Sequence, residues 1–319
     1  MMRITLNKRF NQKLKFHPVH EIDEYLLSVH FNGQIRIRND EKVIMHESYG
    51  YKNLSFDPIT YDTQFLSASI QKFITGIIIE QLIDEQKLNR TDRVARYIPH
   101  IASHILIEDL LLHISGLTRY KVYKDIHGLD EAVSLIEMCG ATLPYHKFDY
   151  NDANFILLAK IIELVEKTPF RTVIYDRIID KYQLEHSCFY DETYDATTGI
   201  HQYGEILIED WHSDLDKYYG AGNMYMSLKD IDTLSQAFAR YNIFNMDKTK
   251  EIVSPDRFQK QKYRSGISLR DNFLRIRGTL YAHDVVAYFN ECTFIAVATN
   301  RESDLYKAED ILRQIIDTK

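Results

Sequence analysis

The sequence predicts an α+β protein in which strands near both termini complete one β-sheet around a mostly helical middle. Three observations lead to this prediction. Polar and apolar residues alternate near the N-terminus, strand-like runs return near the C-terminus, and helical repeats fill the region between them. The helical middle would then cap the sheet.

Composition limits the function classes before any motif is considered. The chain has 319 residues, of which 45% are hydrophobic and 27% charged, as in ordinary soluble globular proteins. Its net charge of −7 offers no electrostatic footprint for nucleic acid. The three cysteines show neither metal-site spacing nor a disulfide framework. No apolar run has signal-peptide or membrane-span character. We therefore expect a cytoplasmic protein with no membrane span and no nucleic-acid partner.

The first strands are predicted within residues 25–53. A strand is expected at 25–31. Residues 34–38 alternate in polarity, 39–42 form a polar turn, and 43–48 continue as a further strand. The last two strands form a predicted β-hairpin with one buried face.

A helix over residues 67–88 is expected to organise the rest of the chain. Its apolar positions follow helical spacing and cover nearly the whole circumference, which is typical of a buried helix. Ser69 and Lys72 lie three residues apart at its first turn, so both side chains point off one face. There a serine benefits from free backbone N–H groups and the positive end of the helix dipole. On its own, Ser-x-x-Lys fits a nucleophile with a proton partner, or a helix N-cap with a solvated lysine.

Four further helices are predicted in the middle of the chain: at 108–113, at 129–138, from Ala153 onward with Asp152 as its N-cap, and at 169–182.

The remainder of the middle is predicted to be mostly loop. Residues 187–219 appear as one long irregular region, rich in Tyr, Asp and His, that could wall a cleft. The Gly-x-Gly at 220–222 indicates a turn rather than a phosphate cradle, and Ser227 opens a helix with a capping box.

The C-terminal part returns to strands, at 272–276, 279–289 and 293–299, and ends with an amphipathic helix at 303–317. These elements divide the chain into a sheet domain and a mostly helical domain. The sheet domain takes residues 1–68 and 255–319, and the helical domain takes residues 69–254.

Five segments in the right order resemble the serine β-lactamase and penicillin-binding protein superfamily, in its branch of class C β-lactamases, D-alanyl-D-alanine carboxypeptidases and esterases. The segments are FNGQIRIRNDEKVIMHESYGY with TQFLSASIQK, DLLLHISGL, FDYNDANFILLAKIIE, GAGNMYMSLKDI and AVATN. The resemblance implies an antiparallel sheet flanked by terminal helices, an all-α domain, and an active-site cleft between them.

The resemblance also implies roles for individual residues. Ser69 would be the acyl-forming nucleophile, Lys72 its proton partner, and Tyr150 the tyrosine of the family's Tyr-x-Asn motif, which exchanges protons with the leaving group. The alternative for Tyr150 is a buried core tyrosine, in a chain that contains 22 tyrosines.

Asp152 departs from the family's asparagine. As an N-cap the change is neutral. If the carboxylate faces Lys72, it favours the charged amine and raises the lysine pKa, which leaves Tyr150 as the better base. An aspartate at this position of the motif also resembles the motif of Gram-positive relatives that cleave D-alanine esters of teichoic acid. The missing export signal argues against a wall substrate.

The family's third motif, Lys/His-Thr/Ser-Gly or His-x-Gly, aligns with Ile276-Arg277-Gly278. Gly278 would allow close approach of a substrate, and the N–H of Thr279 would form an oxyanion hole with that of Ser69. Arg275 or Arg277 would replace the missing carboxylate-binding groups. The alternative is that both arginines simply face solvent.

We therefore predict a serine hydrolase that acts through an acyl-enzyme on Ser69. Its substrate would be a small ester, or a D-amino-acyl ester or amide, rather than a β-lactam. No metal or other cofactor is predicted, and the sequence does not indicate an oligomeric state. The alternative is a catalytically degenerate relative that acts as a binding or regulatory module.

Overall fold

The fold was analysed in a computed structural model, which describes residues 12–121, 125–210, 215–254, 262–270 and 273–316. Its helices are α1 (Val19–Ser28), α2 (Gln71–Asp84), α3 (Ile107–Leu111), α4 (Gly128–Cys139), α5 (Asp152–Glu166), α6 (Phe170–Ile174), α7 (Leu228–Ala239), α8 (Met246–Val253) and α9 (Ala308–Ile315). Its strands are β1 (Gly33–Asn39), β2 (Lys42–Tyr49), β3 (Phe65–Leu66), β4 (Ser187–Phe189), β5 (Gly199–Tyr203), β6 (Ile206–Asp210), β7 (Met224–Met226), β8 (Tyr263–Arg264), β9 (Ile267–Leu269), β10 (Leu274–Leu280), β11 (His283–Phe289) and β12 (Thr293–Thr299).

Within the described residues, seven strands form the main antiparallel sheet in the order β2-β1-β12-β11-β10-β9-β8. Strand β1 pairs with β12 along its whole length, from Gly33 opposite Thr299 to Asn39 opposite Thr293. The two ends of the chain therefore complete one sheet, as the sequence predicts.

The two faces of this sheet bury different parts of the molecule. Successive side chains of a strand point to opposite faces. On β11, Val286 and Tyr288 pack against the terminal helices α1 and α9. Val285 and Ala287 pack on the other side, in the core shared with α2 and α5. The main sheet is thus covered on both faces, with terminal helices on one and the helical middle on the other.

The predicted α+β class is correct, whereas the division into domains at residues 68/69 and 254/255 stays a prediction. The predicted hairpin and the helices at 129–138 and after Ala153 are confirmed. Among the helices of the described ranges, none combines the length and the apolar character needed to cross a bilayer.

Some predicted elements are wrong. Residues 25–31 form the end of α1 and the following turn, because Ile22 and Leu26 bury one helical face that a search for strands overlooks. Residues 187–219 contain β4, β5 and β6 rather than loop alone. The helix predicted at 169–182 is by contrast confirmed as helical, since α6 continues into a π-helical turn at Tyr175–Ile179.

Boundaries at the C-terminus also differ. Strand β10 runs unbroken through residues 277 and 278, which the sequence placed between two strands. The turn falls instead at Tyr281 and Ala282, where both φ angles are positive, as in a two-residue hairpin turn. The final helix begins at Ala308 rather than 303. Residues 272 and 317, the outer ends of two predicted elements, lie outside the described residues.

Candidate active site

The turn that carries Ser69 is fixed immediately before α2. Residues Ala68–Ile70 form a 3-10 turn, and Ala68 has a φ of 45°, a left-handed conformation that a non-glycine residue adopts only under strain. Ser67 holds this turn in place because its N–H and its hydroxyl both donate to the carbonyl of Met224, at 2.9 and 2.8 Å. The Ser69 side chain stands partly exposed at the end of a buried helix.

Lys72 is fully buried one helical turn further on. Its Nζ donates to Ser69 Oγ at 2.9 Å and to the carbonyl of Ala221 at 2.9 Å. The same nitrogen lies 2.7 Å from Oδ1 of Asp152. Three oxygens therefore surround the ammonium group, one of which belongs to the candidate nucleophile.

The protonation of Lys72 follows from these neighbours. Burial lowers the pKa of Lys72, but the charge of Asp152, with Tyr150 beside it, more than offsets that effect. The net pKa lies above the usual value of 10.5. The structure therefore favours a charged amine at neutral pH, as predicted for an aspartate facing Lys72.

Asp152 occupies a different place from the one its N-cap assignment implies. The N-cap of α5 is Asn151, whose side-chain oxygen accepts from the N–H of Ala153 at 3.2 Å. Asp152 is the first residue of the helix, and its carboxylate is free to pair with Lys72. Of the two alternatives left by the sequence, the structure favours the chemical one.

Tyr150 is 44% exposed, so the alternative of a buried core tyrosine is wrong. The Nζ of Lys72 lies 5.0 Å from the centroid of its ring. The ring of Tyr263 meets it edge-on at 5.7 Å between centroids. Burial, followed by the charges of Tyr150 and Asp152, raises the pKa of Tyr263 well above its ordinary value. Tyr263 thus stays protonated and can donate a hydrogen bond to the Tyr150 oxygen.

Sequence reasoning missed His113, which lies under Tyr150. The two ring centroids are 4.5 Å apart, and His113 is buried. Its Nδ1 accepts from the N–H of Asn151 at 3.2 Å and lies 2.9 Å from the side-chain nitrogen of Asn154. Burial, with a smaller contribution from Lys72, lowers the His113 pKa well below its usual value, so the ring is neutral. Its position within DLLLHISGL was the signal available.

Strand β10 forms the opposite wall of the cleft. A Cβ atom placed on Gly278 would lie 2.0 Å from the carbonyl oxygen of Ser67 and 2.8 Å from the nitrogen of Ser69. Only a glycine allows the strand to approach the nucleophile turn this closely. Ile276, at the position of the family's Lys or His, is buried in the core and offers no polar group to the cleft.

The arginines of β10 are engaged with carboxylates of the protein itself. The Nε of Arg275 donates to Glu309 at 2.9 Å. Arg277 makes a two-pronged contact with Asp284 at 2.9 and 3.0 Å and also reaches Glu309. The alternative, in which both arginines simply face solvent, is therefore wrong. Their role in binding substrate stays a prediction.

Thr279 is exposed, and its hydroxyl donates to Asp284 at 3.2 Å. Its place in an oxyanion hole with Ser69 also stays a prediction. Ser69 and Thr279 line one open cleft of about 460 Å³, together with Phe148, Tyr150, Lys262, Tyr263, Gly266, Ser268, Arg270, Arg275 and Arg277. The Ser69 hydroxyl and the Tyr150 phenol therefore line the cleft, and the buried ammonium group of Lys72 contacts the hydroxyl at 2.9 Å. These three groups together can carry out acyl transfer.

Known proteins resemble this chain in sequence and in fold. A family model described as β-lactamase matches residues 31–271. A teichoic acid D-alanine hydrolase of Staphylococcus aureus (strain NCTC 8325 / PS 47) is 34% identical over 297 residues, which cover 88% of this chain and 73% of that protein.

Solved structures agree with the sequence comparison. The crystal structure of FmtA from Staphylococcus aureus superposes with a TM-score of 0.86 at 33% identity, covering 97% of this chain and 95% of that one. The penicillin-binding protein from Bacillus halodurans shares the fold, with a TM-score of 0.81 at 20% identity over 92% of this chain and 98% of that one.

Proposed function

The chain belongs to the β-lactamase family, and from that premise we propose that it hydrolyses D-alanyl esters through an acyl-enzyme on Ser69. It is a serine hydrolase, and the ester class is suggested by the relative that acts as a teichoic acid D-alanine hydrolase. One observation carries the proposal: the Lys72 amine lies 2.9 Å from the Ser69 hydroxyl while it is paired with Asp152 at 2.7 Å. This geometry also argues against a degenerate binding module.

The first half-reaction transfers the acyl group to Ser69. The Asp152 carboxylate keeps Lys72 charged, so Lys72 is not the base. Instead it stabilises Tyr150 as a phenolate, helped by the hydroxyl of Tyr263. The Ser69 oxygen attacks the ester carbonyl as its proton passes to Tyr150. The carbon–oxygen bond to the alcohol then breaks, and the alcohol leaves with the proton from Tyr150.

The second half-reaction restores the enzyme. A water molecule gives a proton to Tyr150 and attacks the acyl carbonyl, and the bond to Ser69 breaks as that proton returns to the serine oxygen. D-alanine is released. The oxyanion in both steps would be held by the N–H groups of Ser69 and Thr279.

Esters are favoured over β-lactams because of the altered strand motif. In the family a Lys or His with a neighbouring hydroxyl docks the substrate carboxylate. Here Ile276 is buried and apolar, while Arg277 is already paired with Asp284 and Glu309. A D-alanyl ester has no free carboxylate on its acyl part and does not need that docking site.

The expectation from the sequence alone is that a wall substrate is disfavoured. The teichoic acid relative now favours a D-alanyl ester of that kind. The expected cytoplasmic location stays a prediction, and the proposed chemistry does not depend on it.

The proposal is tested by measuring release of D-alanine from a synthetic D-alanyl ester, together with intact-protein mass after exposure to a fluorophosphonate and, separately, to a penicillin. We expect ester hydrolysis and a fluorophosphonate adduct, both lost in Ser69→Ala, with the rate falling about a thousandfold or more. Ser134→Ala, which removes an exposed hydroxyl on α4, serves as the matched control.

Two outcomes would contradict the proposal. Efficient turnover of the penicillin would restore the β-lactam assignment despite Ile276. No adduct and no hydrolysis would instead favour the binding-module hypothesis.

A further inference from the structure

The walls of the Ser69 cleft carry an unusual charge for this protein. Among the described residues that line it, four are basic and none is acidic. The chain as a whole has a net charge of −7. A cleft whose sign opposes that of the rest of the molecule concentrates an anionic ligand at that site.

Two of the four basic residues are neutralised from behind. Arg275 and Arg277 are paired with Glu309 and Asp284. Lys262 and Arg270 are exposed, and no carboxylate of the described residues pairs with either side chain. The positive charge available to a ligand is therefore that of Lys262 and Arg270.

These two cations flank the β8–β9 hairpin, which is anchored directly behind the catalytic lysine. A Cβ placed on Gly266 at its turn would lie 2.3 Å from the backbone nitrogen of Phe73, so the turn packs against α2. Ser265 fixes it further, because its N–H donates to the carbonyl of Leu111 at 3.1 Å and its hydroxyl donates to Glu80 at 2.9 Å. The turn of the hairpin is thus fixed against α2, and Lys262 and Arg270 lie at its open end, where both line the cleft together with Ser69.

We propose that Lys262 and Arg270 form a phosphate subsite, which binds the phosphodiester of the alcohol that carries the D-alanyl ester. This inference rests on the proposed function. The acyl part of such an ester has an ammonium group and no carboxylate, so an anion recognised in the cleft must belong to the alcohol. A polyol phosphodiester carries its charge a few bonds from the esterified hydroxyl. Arginine binds phosphate oxygens in a two-pronged fashion, and lysine adds a point charge.

The test compares two D-alanyl esters that differ in one charge: the ester of glycerol and the ester of a glycerol methyl phosphodiester. We expect kcat/KM to be about tenfold higher for the anionic ester at low salt, mainly through KM, and the ratio to fall as salt is added. Lys262→Gln and Arg270→Gln should each lower this ratio toward one, because each removes a charge that attracts only the anionic ester. Lys42→Gln removes the same charge at the opposite edge of the main sheet and should leave the ratio unchanged.

Binding of an unesterified ligand tests the subsite independently of hydrolysis. A short glycerol-phosphate oligomer is titrated into Ser69→Ala protein, and vesicles of phosphatidylglycerol in phosphatidylcholine are titrated in parallel. Binding that Lys262→Gln and Arg270→Gln weaken supports the subsite, and the ligand that binds identifies a soluble polymer or a lipid headgroup as the source of the phosphodiester.

Failure of the subsite and failure of the proposed function can be distinguished. If both esters are cleaved at the same rate and neither phosphodiester ligand binds, the subsite is wrong and the proposed function stands. If neither ester is cleaved but the oligomer binds through Lys262 and Arg270, the subsite stands and the hydrolytic function is wrong.

Discussion

The two walls of the cleft have diverged to different degrees from the family pattern. The helical wall keeps Ser69, Lys72 and Tyr150, with the lysine buried and the Ser69 hydroxyl 2.9 Å from its amine. The strand wall keeps Gly278 alone, because an isoleucine and an arginine replace the polar pair that precedes it. In the proposed mechanism the helical wall performs the acyl transfer, whereas the strand wall meets the substrate.

This difference indicates which parts of the site are constrained by chemistry and which by the ligand. Groups that exchange protons need hydrogen-bonding distances, so they keep both residue type and position. Groups that recognise a substrate change when the substrate changes. In this chain the arginines of the strand wall have joined a network with Asp284 and Glu309. The cations that pair with no carboxylate of the described ranges flank the neighbouring hairpin.

Among substitutions that test the contrast between the walls, the largest expected effect comes from breaking the contact between them. In Gly278→Ala the new methyl group would lie 2.0 Å from the Ser67 oxygen, so the strand and the nucleophile turn must separate. We expect kcat to fall about a hundredfold, as for a displacement of about 1 Å at a reacting group, with a stability loss of about 1–3 kcal/mol. Steady-state kinetics and urea unfolding measure the two effects.

Gly128→Ala is the control for this substitution. Gly128 has a φ of 86° and open space around it, so alanine there adds backbone strain without a steric clash. Its activity should match the wild type. Full activity in a folded Gly278→Ala protein would show that the strand wall does not position the nucleophile.

A smaller effect is expected within the helical wall. Asp152→Asn removes the charge that raises the pKa of Lys72, so that pKa should fall. The alkaline limb of the kcat/KM profile should then move to lower pH, with a loss of about tenfold near neutrality. In the wild type, the stability that this raised pKa contributes is present below pH 10.5 and is lost as the pH rises through the folded-state pKa.

The matched control is Asp149→Asn, which removes a nearby carboxylate that pairs with the exposed Arg119 instead. Its pH profile should stay in place. An Asp152→Asn profile that also stays in place would contradict the role assigned to Asp152.

The smallest effect on activity is expected behind the strand wall. Glu309 is buried and accepts hydrogen bonds from Arg275, Arg277 and Tyr288. Burial raises its pKa, but these partners, Arg275 foremost, lower it to about 2. Glu309→Gln should therefore lower the unfolding free energy by about 2 kcal/mol at pH 7 and leave kcat/KM within about twofold.

The stability that Glu309 contributes should depend on pH in a defined direction. A lowered pKa stabilises the fold above the ordinary value of 4.5, and that stabilisation disappears as the pH falls toward about 2. The stability difference between Glu309→Gln and wild type should shrink over that range. Asp310→Asn, which changes an exposed neighbour, should have the stability of the wild type throughout the range. If KM instead rises tenfold without loss of stability, the arginines bind substrate and the contrast between the walls is wrong.

Much of the fold was predictable because it depends on local patterns. Alternating polar and apolar residues predicted β1 and β2, and helical spacing of apolar residues predicted α2 and α5. All four elements are present in the structure. The error at residues 25–31 arose where a short apolar stretch fits strand and helix alike, and only burial against the sheet decides between them. Helix α8 was missed because its eight residues carry few apolar positions.

The site residues were predictable where a short motif fixes their spacing. Residues that come to the site from segments distant in the sequence were not predictable. Ser69 and Lys72 meet because they are one turn apart on one helix. The carbonyl of Ala221, the ring of His113 and the hydroxyl of Tyr263 reach the same site from distant segments, which no local pattern reveals. The assignment of Asp152 as N-cap was wrong for the same reason, because its carboxylate pairs with Lys72 from a distant helix and Asn151 caps α5 instead.

The pairing of β1 with β12 has a consequence for folding during synthesis on the ribosome. During synthesis, Asn39 cannot pair with Thr293 until that residue has been added to the chain. The turn that carries Ser69 likewise cannot pack against Gly278 until β10 has been made. At about 5–20 residues per second, the nucleophile emerges roughly ten to forty seconds before the strand that lies against it. The nascent chain thus carries Ser69 through that interval without a finished cleft, and the cleft is completed only once β10 has been synthesised.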